Sequence, residues 1–519
     1  MLKHISNSAS RYLILIFFLG LFTRLWFIHE KENLYGDELT SFSLAYNQPG
    51  WGDNVYELHK VYTSQDLRTL LFTDDRGGWE GFCDDISALW HNNRDGSHAS
   101  LYYMALRCVS IGMPPTMSHA IWRVGAFNLL FYALTFYTLF LILCKLHPKD
   151  NRTHHQTLLF LMFIYSICPV SISNSVLARE YAMAEAFFTL WTLWSINVCQ
   201  RLERHEEALS PSSSLFTGCL LSALLLSVGY FNALYLLFTG FFLAFRFVQE
   251  RRQREWWKFL ILGCGCIVLC LTFYKGFFHF LHDDRLADVS RNTKGTDFLA
   301  NFRTSLFALF YFAGKYILTP FVAIGISFAA HWRWKHRKER TLTAMPRDFR
   351  WIAVCAALWF LIVLYVSPWK FTRYVSACLP TLLIIVAWQF RHIPLRRRWT
   401  IAMLAAYMVY VWTGYPIENL ERTRSFHWNC SSSPRILRYA PNNEENVNAK
   451  HAIPFLTDQQ EEVLIASPDE ILMYGRPDSV GIIRVYGPRS CSELMHYPGL
   501  VNHYEADNWD DCYEYRLLK

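Results

Sequence analysis

Apolar runs of membrane-spanning length recur along this chain, separated by short polar loops rich in Lys and Arg. A helix needs about 20 apolar residues to cross the hydrocarbon of a bilayer, and by that measure the pattern predicts about eleven spans. They fall at residues 12–28, 118–144, 157–176, 181–200, 215–229, 232–248, 257–280, 305–330, 351–365, 371–390 and 399–415. The first run follows Lys3 and Arg11, carries Arg24, and has no small-residue cleavage site behind it. It reads as a retained span rather than a signal peptide.

The basic residues set the expected orientation. With the N-terminus in the cytoplasm, the inner loops hold Lys145, Lys149 and Arg152, then Arg201 and Arg204, then Arg251, Arg252, Arg254 and Lys258. The cluster from Arg333 to Arg340 and the run Arg396 to Arg398 fall on the same side, as the positive-inside rule requires. The outer face then receives the long loop 30–117, the turn 178–180, the loop 282–304, the turn 367–370 and a tail from about residue 416. Within the first loop, residues 99–113 are apolar on one face and read as an amphipathic helix along the interface. The tail changes character. Residues 463–466 and 482–486 read as strands, and 468–474 as a helix with Ser467 as N-cap. The expected organisation is a polytopic α-helical membrane domain over 1–415 and a small soluble α/β domain over 416–519.

Composition agrees with this class. Of 519 residues, 52% are hydrophobic and only 18% charged, which is too apolar for an ordinary soluble chain. The net charge of +7 does not point to nucleic acid, because the basic residues sit in short loops between spans. Most of the 14 Cys lie in apolar runs, where they pack as small hydrophobes. Cys83, Cys430, Cys491 and Cys512 lie on the outer side and leave room for a disulfide whose pairing the sequence does not choose. Neither a zinc ribbon nor a phosphate-binding Gly-rich loop is present, so cytoplasmic ATP chemistry has no support.

Candidate chemistry gathers on the outer side. Asp37 and Glu38 stand where the first span gives way to the long loop. A carboxylate held at a membrane surface can act as a general base on an acceptor hydroxyl or as a metal ligand; the ordinary alternative is that it solvates a helix end. Arg24, Arg123, Arg179, Glu185, Lys275, Arg303, Lys315, Lys370 and Arg373 lie at or just below the outer ends of spans. Together the cations suit an anionic lipid headgroup, and Arg can grip a phosphate through two parallel hydrogen bonds. Singly, each basic residue is as well explained by snorkelling to the interface. Arg24 and Lys315 fit that explanation least, since they lie deeper.

Four of these features resemble motifs of the GT-C membrane glycosyltransferases, in the branch of family 39 that includes protein O-mannosyltransferases and aminoarabinose lipid A transferases. They are Asp37-Glu38 after the first span, His98-Ala-Ser-Leu-Tyr-Tyr103, Ala178-Arg179-Glu180-Tyr181, and Arg373-Tyr374 followed by Pro380. The second is similar to a His-Pro-Pro-Leu-Tyr-Tyr element with both prolines replaced. The resemblance implies transfer of a sugar from a polyprenyl-phosphate donor to an acceptor hydroxyl or phosphate on a lipid, glycan or protein, with inversion at the anomeric carbon. It implies Asp37 as the base and Glu38 as its orienting partner. Arg373, Lys370, Arg179, Lys315 and Tyr374 would hold the donor phosphate, and His98, Tyr102 and Tyr181 would contact acceptor or donor. No cofactor is required; a divalent cation is compatible but not indicated. The setting implied is a bacterial inner membrane with the tail in the periplasm. Three other readings compete: a transporter or flippase of polyprenyl-linked or other lipids, a lipid-linked glycan ligase or polymerase, and a non-catalytic relative that binds polyprenyl lipids, against which the presence of Asp37 argues. The sequence shows no internal repeat, and its charges favour the outer ends of spans over the midplane, which favours the transferase.

Overall fold

Lipid offers a backbone no hydrogen bonds, so apolar runs of this length fold as helices that satisfy their own N–H and C=O groups. The computed structural model describes residues 7–46, 58–72, 78–91, 101–146, 152–209, 214–278, 298–317, 345–367, 370–390, 397–418, 420, 435–439, 461–465, 484–488, 500–505 and 512–517. The chain begins with α1 (Asn7–His29), α2 (Gly36–Ala45), α3 (Ser64–Phe72), α4 (Gly78–His91) and α5 (Leu101–Val109). Then come α6 (Met117–Leu146), α7 (Arg152–Ser166), α8 (Pro169–Val176), α9 (Tyr181–Glu203), α10 (Phe216–Val228), α11 (Asn232–Gln249) and α12 (Gln253–Phe273). The last helices are α13 (Phe298–Phe312), α14 (Arg347–Val366), α15 (Thr372–Val375), α16 (Leu379–Phe390) and α17 (Arg397–Trp412).

The protein is a polytopic helical membrane protein. Among the described residues, α1, α6, α11, α12 and α14 are each long and apolar enough to cross a bilayer, and α7 with α8 forms a further span bent by 45°. A helix occupies each of the expected runs, although of 305–330 only the part to Ile317 is described. The count by length and apolarity covers the described residues only. Helix α9 carries Glu185, Arg201 and Glu203, while α10, α16 and α17 are short. The amphipathic helix expected at 99–113 is α5, which buries Tyr102, Tyr103 and Leu106. The tail helix expected at 468–474 lies outside the described residues.

The chain forms two compact units. The first comprises Met1–His29, Gly96–Tyr102 and Val124–Glu421. Its central helix is α9, buried along nearly its whole length. Phe188 stacks on Tyr235 at 3.7 Å, and two buried polar side chains of α9 find partners on a neighbouring helix. Trp191 Nε1 donates to Thr239 at 2.8 Å, and Thr192 Oγ1 lies 2.8 Å from the Tyr235 hydroxyl. The outer helices expose Leu15, Phe18, Phe241, Ile261, Val268 and Phe307, an apolar surface that matches lipid rather than water.

The two ends of this bundle differ. At one end, Gln200 Nε2 donates to the Lys145 carbonyl, Arg246 pairs with Asp348 at 3.1 Å, and Lys258 pairs with Glu207. Arg179 lies before the other end of α9, whose 23 residues separate the ends by about 35 Å. Arg179 and the basic residues Lys145, Arg246 and Lys258 thus lie toward opposite ends of the bundle.

The second unit comprises Glu30–Asp95, Tyr103–Arg123 and Arg422–Lys519. Its six strands are β1 (Val61–Thr63), β2 (Arg435–Tyr439), β3 (Glu461–Ile465), β4 (Arg484–Pro488), β5 (Leu500–Glu505) and β6 (Cys512–Leu517). They form one mixed sheet in the order β1-β3-β2-β4-β6-β5. The central pairs β2–β3 and β2–β4 are parallel, and register partners Leu437 and Val463 are fully buried. The expected strands at 463–466 and 482–486 correspond to β3 and β4. Strand β1 comes from the first loop and pairs antiparallel with β3, with Val61 opposite Val463. The tail sheet is therefore completed by a segment about 400 residues upstream, a pairing no local pattern announces.

Candidate functional site

The framework of the site is the break between α7 and α8. Pro169 sits at the first position of α8 and has no N–H to continue the helical ladder. The Ser166 carbonyl released there accepts a hydrogen bond from Arg24 Nη1 at 2.6 Å. Arg24 is fully buried, and its other donors are also spent on the chain: Nη1 on the Gly20 carbonyl (3.1 Å), Nε on Ser175 (3.0 Å) and Nη2 on Ser171 (2.9 Å). Its guanidinium stacks over Tyr132 at 3.7 Å. The Ser171 hydroxyl in turn donates to Glu185 at 3.0 Å, and Asn174 Nδ2 donates to the same carboxylate at 2.7 Å. A serine hydroxyl thus bridges a buried cation and a buried anion, which makes the broken helix tolerable inside the bundle. Gly20 lets α1 approach: a Cβ there would lie 2.1 Å from the Tyr132 hydroxyl and 2.8 Å from Ser166 Cβ.

The turn after α8 carries the next candidate residues. Asn128 Nδ2 donates to the carbonyls of Leu177 (2.7 Å) and Ser175 (3.3 Å), capping the end of α8 and fixing the turn. Arg179, Glu180 and Tyr181 are all buried there, with Arg179 Nε 3.6 Å from the Glu180 carboxylate. The short helix α15 brings in Arg373 and Tyr374. Arg373 is buried, lies over the Phe371 ring at 4.3 Å, and reaches Glu418 with Nη1 at 3.5 Å. The rings of Tyr181 and Tyr374 lie 6.4 Å apart, and Tyr181 is within electrostatic range of Glu180, Arg373 and Arg179. The Tyr181 hydroxyl and Thr372 Oγ1 are buried without a hydrogen-bond partner among the described residues.

Beside Thr372 opens an apolar groove lined by Val170, Phe360, Val375, Leu379, Leu383 and Val386, among others. Thr372, whose hydroxyl is unsatisfied, lines this groove, and Arg373 follows it in the chain. That arrangement can hold an amphiphile with an anionic head.

The other expected phosphate ligands are placed as follows. Lys370 Nζ donates to the carbonyls of Ser367 (2.7 Å) and Tyr365 (2.8 Å), so it caps α14. Burial pulls its ammonium down to about 8 from the ordinary lysine value. Lys315 lies on a π-helical turn, Ala313–Ile317, and its ammonium faces the rings of Tyr415 (4.3 Å), Tyr316 (5.1 Å) and Tyr311 (5.8 Å). These rings already supply cation–π contacts to Lys315. Tyr102 is buried with its ring 6.2 Å from Phe127. His98 lies outside the described residues.

Asp37 and Glu38 belong to the second unit, in the first turn of α2. Glu38 is fully buried, pairs with Lys31, and accepts the Tyr35 N–H at 2.8 Å. It thereby closes the start of α2. Burial lowers the Lys31 ammonium from its ordinary value, and Glu38 beside it opposes that shift. Asp37, its neighbour, is half-buried. Among the described residues, no group of three or more His, Cys, Asp or Glu side chains is placed to hold a metal ion.

Sequence reasoning missed Glu418, Thr372 and Asn128. Glu418 carried a usable signal: it is an acid just past the last apolar run, at the end of the bundle where the sequence expects a set of cations. Thr372 and Asn128 carried none, since a lone Thr or Asn in an apolar run is ordinary.

The sequence matches no protein-family model and no curated protein. Among solved structures, the chain is similar to the crystal structure of ArnT from Cupriavidus metallidurans in the apo state, with a TM-score of 0.47, 11% identity and 99% of each chain covered. It is also similar to ArnT from the same organism bound to undecaprenyl phosphate, with a TM-score of 0.47, 10% identity and 98% of each chain covered. At this level of likeness the functional reading rests on the residues themselves.

Proposed function

We propose that this protein is an inverting, GT-C-type glycosyltransferase that moves a sugar from a polyprenyl-phosphate donor to an acceptor on the outer face of a bacterial inner membrane. The N-terminus would face the cytoplasm, placing Arg179 and Arg373 at the outer end of the bundle. The observation that carries the reading is the buried Arg373, with the unsatisfied Thr372 hydroxyl next to it, at an apolar groove. The donor phosphate takes the arginine end and the first isoprene units take the groove.

In the reaction, the acceptor oxygen attacks the anomeric carbon as the bond from that carbon to the phosphate oxygen breaks. The acceptor proton passes to Asp37, an assignment that rests on the sequence motif. Polyprenyl phosphate leaves with the bonding electron pair, so negative charge grows on the phosphate. Arg373 and Arg179 stabilise that charge more in the transition state than in the ground state. The test is to supply the purified protein in lipid with a polyprenyl-phosphate sugar and candidate acceptors. Release of polyprenyl phosphate that depends on acceptor is expected. Movement of intact donor across the bilayer without release would replace the reading with that of a flippase.

A further inference from the structure

Glu418 is held in place from outside its own helix. It follows α17, its backbone N–H donates to Ser173 Oγ on α8 at 2.9 Å, and Ile417 N–H closes a turn on the Gly414 carbonyl at 2.9 Å. Ser173 is itself fixed, donating to the Pro169 carbonyl at 2.8 Å. These contacts present the Glu418 carboxylate, only 11% exposed, to Arg373. Tyr316 also lies within electrostatic range of Glu418. A carboxylate fixed this close to the cation assigned to the donor phosphate does not help hold an anion; it repels one.

Resting on the donor-phosphate reading above, we propose that Glu418 sets the charge preference of the site. It makes the site favour a singly charged lipid phosphodiester over a doubly charged lipid phosphomonoester. The reaction converts the first into the second: the donor is a monoanion, and the spent carrier approaches a dianion at neutral pH, with a second ionisation near 6. Repulsion from a fixed carboxylate scales with ligand charge, so the dianion is repelled about twice as strongly as the monoanion. At the separation set by one guanidinium between the two, and an effective dielectric of about 20, each unit of ligand charge is worth on the order of tenfold in affinity. Glu418 thereby favours release of the spent carrier. If the acid instead only competes with phosphate for Arg373, removing it improves both ligands by the same factor. The ratio of the two affinities separates the two roles.

The experiment uses the full chain in nanodiscs of neutral phosphatidylcholine at about pH 7.5, titrated with polyprenyl monophosphate and with its methyl phosphodiester. Wild type is expected to prefer the diester. Glu418→Gln and Glu418→Ala are expected to improve the monoester about tenfold more than the diester, and Glu418→Asp to keep the wild-type ratio. In turnover, the neutral variants are expected to become sensitive to inhibition by polyprenyl monophosphate. An unchanged affinity ratio in both neutral variants overturns the proposal. The Arg373→Ala arm tells this failure from that of the underlying reading. If Arg373→Ala loses both lipids while the Glu418 ratio stays fixed, only the role of Glu418 falls. If Arg373→Ala binds both lipids as wild type does, the phosphate site lies elsewhere and both proposals fall.

Discussion

Arg24 and Arg373 are both buried arginines of the membrane unit, and the sequence put them in one cationic set, with Arg24 the deeper. Their surroundings separate them. Arg24 donates to two carbonyls and two serine hydroxyls fixed in packed helices, and a tyrosine ring covers its face. Arg373 lies between aromatic rings and reaches a carboxylate on a post-helical turn at 3.5 Å, close to an apolar groove. In the second unit, Glu38 is fully buried, pairs with Lys31 and accepts the Tyr35 N–H, and Asp37 beside it is half-buried. Burial alone therefore does not mark a functional charge in a membrane protein. What separates the two arginines is the chemistry of their contacts: carbonyls and hydroxyls for Arg24, aromatic rings and a carboxylate for Arg373.

The carboxylates test this contrast most severely. Asp37→Asn is expected to lower transfer by about 10²–10⁴-fold while the melting temperature stays near wild type, since an amide cannot take the acceptor proton. Glu38→Gln is expected to do the reverse. It leaves the buried Lys31 without its counter-charge and should destabilise the protein by about 3 kcal/mol or more, read by thermal unfolding in detergent. Normal turnover by Asp37→Asn would move the base elsewhere, with Glu38 the first place to look.

The arginines come next. Arg24→Ala is expected to destabilise by about 3–5 kcal/mol, because it strands the Ser166 carbonyl in the bundle and removes the buried cation that the Ser171 hydroxyl links to Glu185. Arg24→Lys recovers little, since one ammonium cannot reach the same four acceptors. Arg373→Ala is expected to melt close to wild type but to lose donor affinity by about tenfold to a hundredfold, the worth of charge-assisted hydrogen bonds. Arg373→Lys should recover part of that loss. Equal melting losses for Arg24→Ala and Arg373→Ala would erase the distinction between them.

The smallest expected effect is a pH dependence at Lys370. Its ammonium titrates at about 8 in the folded protein, against about 10.4 in an unfolded chain. Below about pH 8 it is charged in both states. Between about 8 and 10.4 the unfolded chain binds the extra proton, so its contribution to stability rises with pH across that window. Donor binding should move the opposite way, weakening as pH rises through about 8 and the cation is lost. Lys370→Arg, charged throughout, should flatten that profile in donor titrations. A wild-type profile that is already flat would show that Lys370 caps α14 and does nothing for the donor.

Much of this protein was determined by its sequence alone. A backbone in lipid must close its own hydrogen bonds, so the apolar runs had to become helices, and their positions could be read along the chain. The alternation of basic loops likewise anticipated that Arg179 and the Arg204 region occupy opposite ends of the bundle, because one helix length separates them. Tertiary structure alone decided which charges are committed to the fold. Arg24 meets Ser175 across 151 positions, Arg373 meets Glu418 across 45, and Glu418 meets Ser173 across 245. Strand β1 joins the tail sheet across a still longer interval. Hydrogen bonds act over about 3 Å, whereas hydropathy is a property of each segment by itself. The sequence could therefore place an arginine at a membrane surface, but only the packing of distant helices could say what its donors touch.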